Sequence, residues 1–333
     1  MTSLVTGCLG FIGSHLCDAL VARGDHVIGA DLVTGSFEFF NPAVEFIPTD
    51  ITKRESVEAL CRKYEADVVY HTASIFNYSA SKVVLDRVNL GGTQNFYEAI
   101  GKAKGWGGRL KTIVHWSSSS INGRQAHGKP AVEDEPWCPA NDYERSKAEQ
   151  ETLASELAEQ FQLPIVYLRP AGVYGPRSRY GLAKIIELVS KGLVRCYFGR
   201  PQARQSMVHV ADVVGAAIHL ADRGVPGEAY NVADDAQWTM GELTLHIARA
   251  LKKWFVPLTL PVALIKPLSQ LDERLARALK RDPLLIRDLL DHMERPFLVS
   301  NQKLKAAGYP LQFADTKCGL DHTIGWYREK GWL

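Results

Sequence analysis

The chain has 333 residues, of which 46% are hydrophobic and 23% charged, a composition that excludes a disordered or fibrous protein. At roughly 100–200 residues per domain, this length predicts two units, or one large α/β domain with a smaller companion. The 39 Lys and Arg residues nearly balance the 37 Asp and Glu residues, giving a net charge of +2, so no strong field favours nucleic acid or an anionic membrane.

The first half of the chain alternates β-type runs with helical patterns. Strands are predicted at Ser3–Thr6, His26–Ala30, Asp67–Tyr70, Leu110–Trp116 and Pro164–Leu168. Helices are predicted near Ile12–Arg23, Lys53–Lys63, Lys82–Lys104 and Asp142–Phe161. Alternation of this kind is typical of βαβ units, and near-continuously apolar strands are typical of a sheet covered on both faces. The sequence therefore predicts an α/β fold with a Rossmann-type, doubly wound parallel sheet.

The second half is less regular and turns mostly helical after Thr239, with leucines at 271, 275 and 279 and a Pro-started helix at Asp282–Met293. Between the halves, Met207–Leu220 reads as a helix and Glu228–Val232 as a strand, so we expect the chain to return to the first sheet. These boundaries predict a larger domain from residues 1–176 and 207–235. Residues 177–206 and 236–333 would form a smaller, mostly helical domain for the substrate.

A glycine-rich turn, T-G-C-L-G-F-I-G at residues 6–13, lies between the first strand and the first helix. Such a turn lets a pyrophosphate approach backbone N–H groups at a helix N-terminus, although an ordinary strand–helix turn is the alternative. Asp31 ends the second strand 18 residues after Gly13. A carboxylate there accepts hydrogen bonds from both ribose hydroxyls of NAD and repels the 2′-phosphate of NADP. Together these features predict NAD as the cofactor of the larger domain.

Tyr143 and Lys147 are four residues apart and therefore share one face of the predicted helix. A phenol titrates near 10 in water and is a weak base at neutral pH unless a nearby cation stabilises the phenolate. Lys147 and an oxidised nicotinamide would supply that charge, which makes the pair a proton-transfer device. Taken alone, most such pairs are helix surface.

With these features in place, the chain resembles the extended short-chain dehydrogenase/reductase family along nearly its whole length. The resemblance extends to N-L-G-G-T at residues 89–93 and R-P-A-G-V-Y-G-P at residues 169–176. It implies catalytic roles for Ser118, Tyr143 and Lys147. It implies that NAD is bound by Gly7, Gly10, Phe11, Ile12, Gly13, Asp31, Asp50, Ile51, Thr72, Ala73, Ser74, Asn89, Tyr143, Lys147, Pro170 and Val173. Ser119, Gly172 and Tyr174 are candidates for substrate contact.

Four adjacent serines at 117–120 leave the catalytic serine open between Ser118 and Ser119. The family's serine commonly lies five residues before a glycine, which favours Ser118 because Gly123 follows at that spacing. Ser118 also lies 25 residues before Tyr143. Asn122 stands where the family usually has tyrosine.

The substrate is predicted from two departures from the family pattern. Nucleotide-sugar members usually carry an asparagine and an arginine where this chain has Gly172 and Gln205. The R-P-A-G-V-Y-G-P motif instead resembles that of the family branch that oxidises 3β-hydroxysteroids and 4-carboxysterols. This resemblance predicts net oxidation of a lipophilic secondary alcohol. Nearby Arg177, Arg179, Arg200 and Arg204 keep a nucleotide-sugar 4-epimerase as the alternative. A non-catalytic dinucleotide sensor is the third reading, which the presence of Tyr143 and Lys147 disfavours.

Further expectations concern partners and location. The six cysteines (Cys8, Cys17, Cys61, Cys138, Cys196 and Cys318) include no C-x-x-C pair, so we expect no metal site, no disulfide framework and a cytoplasmic protein. We also expect no signal peptide, no nucleic-acid partner and, from the resemblance, a homodimer. Residues 254–265 are too short to span a bilayer. With Arg274, Arg277, Lys280 and Arg281 they would form either a membrane-facing lip or a core-packing segment beside a solvated helix. His71, His115 and His209 are expected to be packed or hydrogen-bonded.

Overall fold

The computed structural model of the chain describes residues 1–76, 80–103, 105–123, 128–264, 267, 269, 272 and 295–333. Its strands, in chain order, are β1 (Thr2–Thr6), β2 (His26–Asp31), β3 (Glu45–Pro48), β4 (Val68–His71), β5 (Thr112–Trp116), β6 (Ile165–Pro170), β7 (Gly172–Tyr174), β8 (Tyr197–Phe198), β9 (Met207–His209), β10 (Ala229–Val232) and β11 (Thr259–Leu260).

Seven of these strands form one parallel sheet with the order β10-β6-β5-β4-β1-β2-β3. The chain runs outward from β1 to β3 and then resumes on the other side of β1 with β4. Ligands of such sheets bind outside the carboxyl ends of the strands, at the point where the order reverses. The predicted Rossmann-type fold is confirmed, and β10 brings the chain back to this sheet beside β6.

The helices are α1 (Phe11–Ala22), α2 (Arg54–Lys63), α3 (Lys82–Leu85), α4 (Gly91–Lys102), α5 (Trp106–Arg109), α6 (Asp142–Phe161), α7 (Leu182–Ser190), α8 (Val210–Arg223), α9 (Met240–Ala250), α10 (Gln302–Ala306) and α11 (Thr316–Glu329). Successive strand residues point to opposite faces of the sheet. Val5 accordingly packs under α1 and α8, whereas Leu4 packs under α2, α4 and α6. Burial on both faces explains why the strands contain so few polar residues.

A third apolar cluster unites α7, α9 and α11 beyond the edge of the main sheet. Two short pairings accompany it: β7 lies parallel to β9, and β8 lies parallel to β11. Ile186, Leu243 and Ile324, one from each helix, are completely or almost completely buried. Two of the three residues that the sequence assigned to the substrate, Gly172 and Tyr174, lie in β7.

Two predicted elements need correction. Met207–His209 is a strand, and the helix predicted there begins at Val210, because the first three residues pair with β7 and His209 caps the helix by accepting a hydrogen bond from the Ala211 amide. The long helix predicted from Lys82 contains a π-helical turn at Asp86–Leu90. The leucines at 275 and 279, the helix at 282–293 and the basic residues at 274–281 lie outside the described residues, as does Leu271.

Candidate active site

The predicted site residues gather along the carboxyl edge of the sheet, around the switch in strand order between β1 and β4. Residues that end or closely follow six adjacent strands are Gly7, Asp31, Asp50, Thr72, Ser118 and Pro170. The helix α6 carries Tyr143 and Lys147. Residues spread over 164 positions of sequence therefore line one crevice because parallel strands place all their carboxyl ends on the same side.

The glycine turn after β1 has the shape that a pyrophosphate needs. Gly7 has φ +74°, and its amide donates to the Ala30 carbonyl at 2.8 Å. A Cβ atom on Gly13 would lie 2.0 Å from the Gly7 carbonyl oxygen, so this close crossing of strand and helix requires glycine. Gly10 precedes α1 without a side-chain cap. The amides in the first turn of α1 therefore remain suited to an anionic ligand, and the turn fits a dinucleotide.

Asp31 is held at the end of β2 by two backbone amides. Its Oδ2 accepts from the Leu9 amide at 2.9 Å, and its Oδ1 accepts from the Leu32 amide at 2.7 Å. Burial raises the pKa of this carboxyl above its usual value, against the effect of these two hydrogen bonds. The Leu9 contact also joins Asp31 to the glycine turn. The residue predicted to bind the ribose and the turn predicted to bind the pyrophosphate are therefore directly connected.

Asp50 and Ile51, predicted to cradle adenine, follow β3. Burial acts to raise the pKa of Asp50, but hydrogen bonds from the Thr52 amide and hydroxyl, together with the charges of Lys53 and Arg87, lower the pKa overall. The Ile51 side chain lies over Gly92, where a Cβ would approach its Cδ1 to 2.5 Å. The carboxylate is therefore ionised beside an apolar surface, an arrangement that suits the edge and face of a base.

Asn89 lies completely buried in the π-helical turn before α4. Its Oδ1 accepts from the Ile75 amide at 2.8 Å, and its Nδ2 donates to the Ser146 hydroxyl at 3.1 Å. One side chain thus joins the segment after β4 to α6. Its contacts position the helix that carries Tyr143 and Lys147.

The structure distinguishes the two candidate serines. Ser118 hydrogen-bonds the Tyr143 phenol, an interaction that acts to lower the pKa of the phenol. Its hydroxyl also lies 2.8 Å from that of Ser120. Ser119 is completely buried, and its hydroxyl donates to the Pro170 carbonyl at 2.9 Å. Ser118 therefore contacts the phenol of Tyr143, whereas Ser119 contacts the backbone at the end of β6.

Lys147 projects from α6 into a buried pocket of acceptors. Its Nζ donates to the Trp116 carbonyl at 2.8 Å, to Gln150 Oε1 at 2.8 Å and to the Ser74 hydroxyl at 3.2 Å. Burial lowers the pKa of Lys147 to about 7, although the carboxylate of Glu151 acts in the opposite direction. The three donors of the ammonium are all engaged, and the contact to Ser74 is the longest.

Tyr143 is protonated at neutral pH in this structure. Burial raises the pKa of its phenol well above 10, against the smaller opposing effect of the Ser118 hydrogen bond. The sequence predicted that Lys147 stabilises the phenolate, and here the ammonium reaches acceptors other than the phenol. The predicted stabilisation of the phenolate by Lys147 is therefore not formed in this structure.

An aromatic lip consists of Phe76, which contacts Tyr143, and Tyr180, which contacts Phe76. The rings of Phe76 and Tyr143 meet edge-to-face with centroids 5.1 Å apart, and those of Phe76 and Tyr180 with centroids 5.8 Å apart. Phe76 is 45% exposed and Tyr180 52% exposed. Sequence reasoning missed both residues because they lie in loops without periodicity and meet only after folding.

The side chain packed against Gly172 is apolar. A Cβ atom at Gly172 would lie 2.9 Å from both Sδ and Cε of Met207, so the Met207 thioether occupies the space that a larger side chain needs. Gln205 is buried, and its Nε2 donates to the Arg295 carbonyl at 2.8 Å. Tyr174, a predicted substrate contact, is 1% exposed, and its hydroxyl lies 3.3 Å both from Asp234 Oδ2 and from the Thr316 carbonyl oxygen. In this structure β7 turns Tyr174 toward α11, and its contact with a substrate stays a prediction.

The arginines considered for a diphosphate have other partners or lie at the surface. Arg177 contacts Asp18 at 2.6 Å, and Arg179 contacts Glu38 at 3.2 Å. Arg204 is exposed next to Gln205. Trp254, Leu258 and Leu264 are 71%, 59% and 64% exposed, so these side chains do not pack in the core as one reading expected.

The histidines are hydrogen-bonded as expected. His71 contacts the Thr6 hydroxyl, and His115 contacts the Tyr97 hydroxyl. Among the described residues, no group of three or more His, Cys, Asp or Glu side chains is placed to hold a metal ion. Within that same part of the chain, no helix is long and apolar enough to cross a membrane.

The fold, the glycine turn and the Ser–Tyr–Lys arrangement define a dinucleotide-dependent oxidoreductase of the extended short-chain type. Residues 3–233 match the model of the NAD dependent epimerase/dehydratase family, and the chain belongs to that family. It is an NAD-dependent enzyme. NAD, when bound, supplies the acceptor for a hydride.

Particular relatives differ in their substrates. A UDP-glucose 4-epimerase of Mycolicibacterium smegmatis is 30% identical over 75% of this chain and 83% of its own length. A decarboxylating sterol-4-alpha-carboxylate 3-dehydrogenase of Candida albicans is 23% identical over 98% of this chain and 97% of its own. The solved UDP-glucose 4-epimerase of Thermus thermophilus in complex with NAD is 27% identical with a TM-score of 0.78, covering 98% of this chain and 99% of that one.

Proposed function

We propose that this enzyme oxidises a secondary alcohol of a lipophilic, sterol-like compound to a ketone with net formation of NADH. The observation that supports this substrate class is the apolar space beside Gly172, which the Met207 thioether fills. A nucleotide-sugar diphosphate needs paired donors, because desolvating phosphate without them is costly. An apolar alcohol needs a concave, mostly hydrophobic surface with a few polar groups at the reacting carbon.

Each catalytic side chain has one task in this reaction. Tyr143 accepts the proton of the substrate hydroxyl. Ser118, which hydrogen-bonds the phenol, donates to the substrate oxygen as it becomes a carbonyl. The ammonium of Lys147 stabilises the phenolate and turns from Ser74 toward the ribose of the cofactor. The carbinol carbon loses a hydride and its oxygen loses a proton, so a C=O bond replaces the C–H and O–H bonds.

The aromatic lip supports a flat apolar substrate. Phe76 and Tyr180 expose ring surface beside the phenol of Tyr143. Rings of a sterol-like compound would cover that surface on binding, with roughly 25 cal/mol gained per Å² of apolar area removed from water. The sterol dehydrogenase relative aligns with 98% of this chain and 97% of its own length.

Nucleotide-sugar 4-epimerisation is the second candidate. The relatives at 30% and 27% identity favour it, and both are UDP-glucose 4-epimerases. In that reaction the hydride returns to the sugar, so NADH does not accumulate. The exposed Arg204 would have to bind the diphosphate in place of Gln205.

The two functions are separated by one pair of measurements. Purified enzyme with NAD is incubated with a 3β-hydroxysteroid or with UDP-glucose, and NADH is followed by absorbance while calorimetry reports UDP-glucose binding. We expect NADH formation with the steroid and no UDP-glucose binding at micromolar concentration. Tight UDP-glucose binding, an epimerised product and no NADH release would replace this proposal by the epimerase.

Tyr143→Phe tests the base. Loss of the phenolic oxygen removes general acid–base catalysis, which typically contributes 10²–10⁴-fold, so turnover should fall by about 10² or more while NAD still binds. Tyr64→Phe is the matched control, because the Tyr64 hydroxyl contacts Glu45 at the surface. Near-normal turnover of Tyr143→Phe would contradict the mechanism.

Location and assembly are further proposals. All six cysteines are free thiols, and burial raises the pKa of Cys17 and Cys61 to about 12. Buried, protonated thiols suit a reducing cytoplasm, which cell fractionation tests. The homodimer implied by the family resemblance is tested by light scattering coupled to gel filtration.

A further inference from the structure

A buried chain of side chains begins at the Lys147 ammonium. Gln150, one turn further along α6, accepts from Lys147 Nζ through Oε1 at 2.8 Å and donates through Nε2 to the Thr93 hydroxyl at 2.7 Å. Because an ammonium has only donors, the amide oxygen of Gln150 must face Lys147 and its NH₂ must face Thr93. Both ends of the amide are therefore fixed by partners that no rotation can exchange.

The chain continues through the sheet to the glycine turn. His71 on β4 contacts the Thr93 hydroxyl through Nε2 at 3.0 Å and the Thr6 hydroxyl through Nδ1 at 2.8 Å. Thr6 is the last residue of β1, immediately before Gly7. Its hydroxyl also accepts from the Ala73 amide. Four contacts thus join the ammonium to the turn that receives the pyrophosphate.

Every side chain of this path is excluded from water. Thr6, Thr93, Gln150, His71 and Lys147 are each at most 2% exposed. A neutral imidazole has one donor and one acceptor, and a hydroxyl on either side satisfies both. Fully satisfied buried networks hold their members in one geometry, because any rotation leaves a buried polar group without a partner.

We propose that Gln150 is a positioning residue for Lys147 and that Thr93, His71 and Thr6 extend its support to the glycine turn, an inference that rests on the proposed role of Lys147. Gln150 accepts from the ammonium at 2.8 Å from one turn further along the same helix. The longer contact to Ser74 is the one released when the lysine turns to the ribose. The structure therefore assigns to Gln150 the contact that Lys147 keeps throughout the reaction.

The charge of Lys147 depends on the groups packed around it. From its own helix, the carboxylate of Glu151 acts to raise the pKa of Lys147, and Gln150 adds an acceptor. From β4 and β5, His71 and His115 face it as neutral rings, since burial foremost and the charge of Lys147 in addition lower the pKa of each imidazole. The phenol of Tyr143 is protonated. Removing an acceptor from this set destabilises the ammonium.

The test measures the affinity for NADH, whose nicotinamide carries no positive charge to repel Lys147, by calorimetry across the neutral pH range and needs no substrate. The ammonium donates to the ribose, so affinity should weaken as pH rises through the pKa of Lys147, which is about 7. Gln150→Met removes the acceptor and should move this inflection down by about one to two pH units. Gln150→Glu keeps an acceptor and adds a negative charge, so it should move the inflection up. Gln160→Met, on the exposed face of the same helix, is the control.

Opposite shifts from Met and Glu support positioning, because a merely structural role would weaken binding in both without moving the inflection. Inflections identical to that of Gln160→Met, or a wild-type affinity without pH dependence, would overturn the proposal. Where Gln150→Met fails to fold, Thr93→Val removes the hydroxyl that accepts from Gln150 and should give a smaller downward shift of the inflection. Failure here leaves the steroid and Tyr143→Phe measurements intact, so the two proposals fail separately.

Discussion

Asp31 should make the enzyme select NAD over NADP, and the structure allows the size of the effect to be worked out. The carboxylate is fixed by the Leu9 and Leu32 amides at 2.9 and 2.7 Å, so it cannot rotate away from the ribose. No Lys or Arg occurs between residues 32 and 52 to neutralise an added phosphate from the same segment. Two unit charges about 4 Å apart at an effective dielectric near 20 interact by about 4 kcal/mol. We therefore expect NAD to bind about a thousandfold more tightly than NADP.

Asp31→Asn should remove most of this discrimination. The amide loses the negative charge and turns an NH₂ toward one of the two backbone donors, so NAD affinity should fall about ten- to a hundredfold. NADP affinity should change little or rise, which brings the two cofactors within about tenfold of each other. Calorimetric titration of both cofactors against wild type and variant measures the ratio. Asp321→Asn, a half-exposed change on α11, is the control.

The reasoning would be refuted by equal wild-type affinities for NAD and NADP, or by an unchanged ratio in Asp31→Asn. The pH dependence of the NAD/NADP discrimination provides an independent check. Burial raises the pKa of Asp31, so its charge is lost at a higher pH than that of an ordinary carboxylate. Discrimination against NADP should therefore decline as pH falls, before neighbouring surface carboxylates titrate.

Three further outcomes follow from the site. Gly13→Ala should abolish NAD binding, because its Cβ would lie 2.0 Å from a carbonyl oxygen, whereas calorimetry should find NAD binding unchanged in Gly107→Ala, where a Cβ meets open space. Ser118→Ala should lower steroid turnover by about 10²-fold through loss of an oxyanion donor, and Ser119→Ala by only a few-fold; equal losses would contradict the assignment. Arg169→Met should destabilise the fold by about 3–5 kcal/mol in urea titrations, since it leaves the buried carboxylate of Glu151 without the guanidinium that contacts it at 2.6 Å; an unchanged midpoint would refute this.

Local sequence was sufficient where one element carried the signal. The glycine turn, Asp31 at the end of β2 and the four-residue spacing of Tyr143 and Lys147 were all predicted from neighbours in the chain. The helix–strand boundary at Met207 was not, because a three-residue segment fits both periods and pairing with β7 decided between them. Spacing to Gly123 and Tyr143 favoured Ser118 over Ser119, but the direction in which each side chain points after β5 came only from the structure.

The sequence by itself determined the fold class, the cofactor and the chemical type of the site, because strand alternation, turn glycines and helical spacing are local properties. Tertiary structure alone decided what surrounds that chemistry. Met207 fills the space beside Gly172 because β7 and β9 pair, and Phe76 meets Tyr180 because two loops converge over α6. Gln150 reaches Lys147, Thr93 and, through His71, the glycine turn because α4 and α6 pack on one face of the sheet. Contacts between distant segments depend on packing direction, which residue spacing along a chain does not encode.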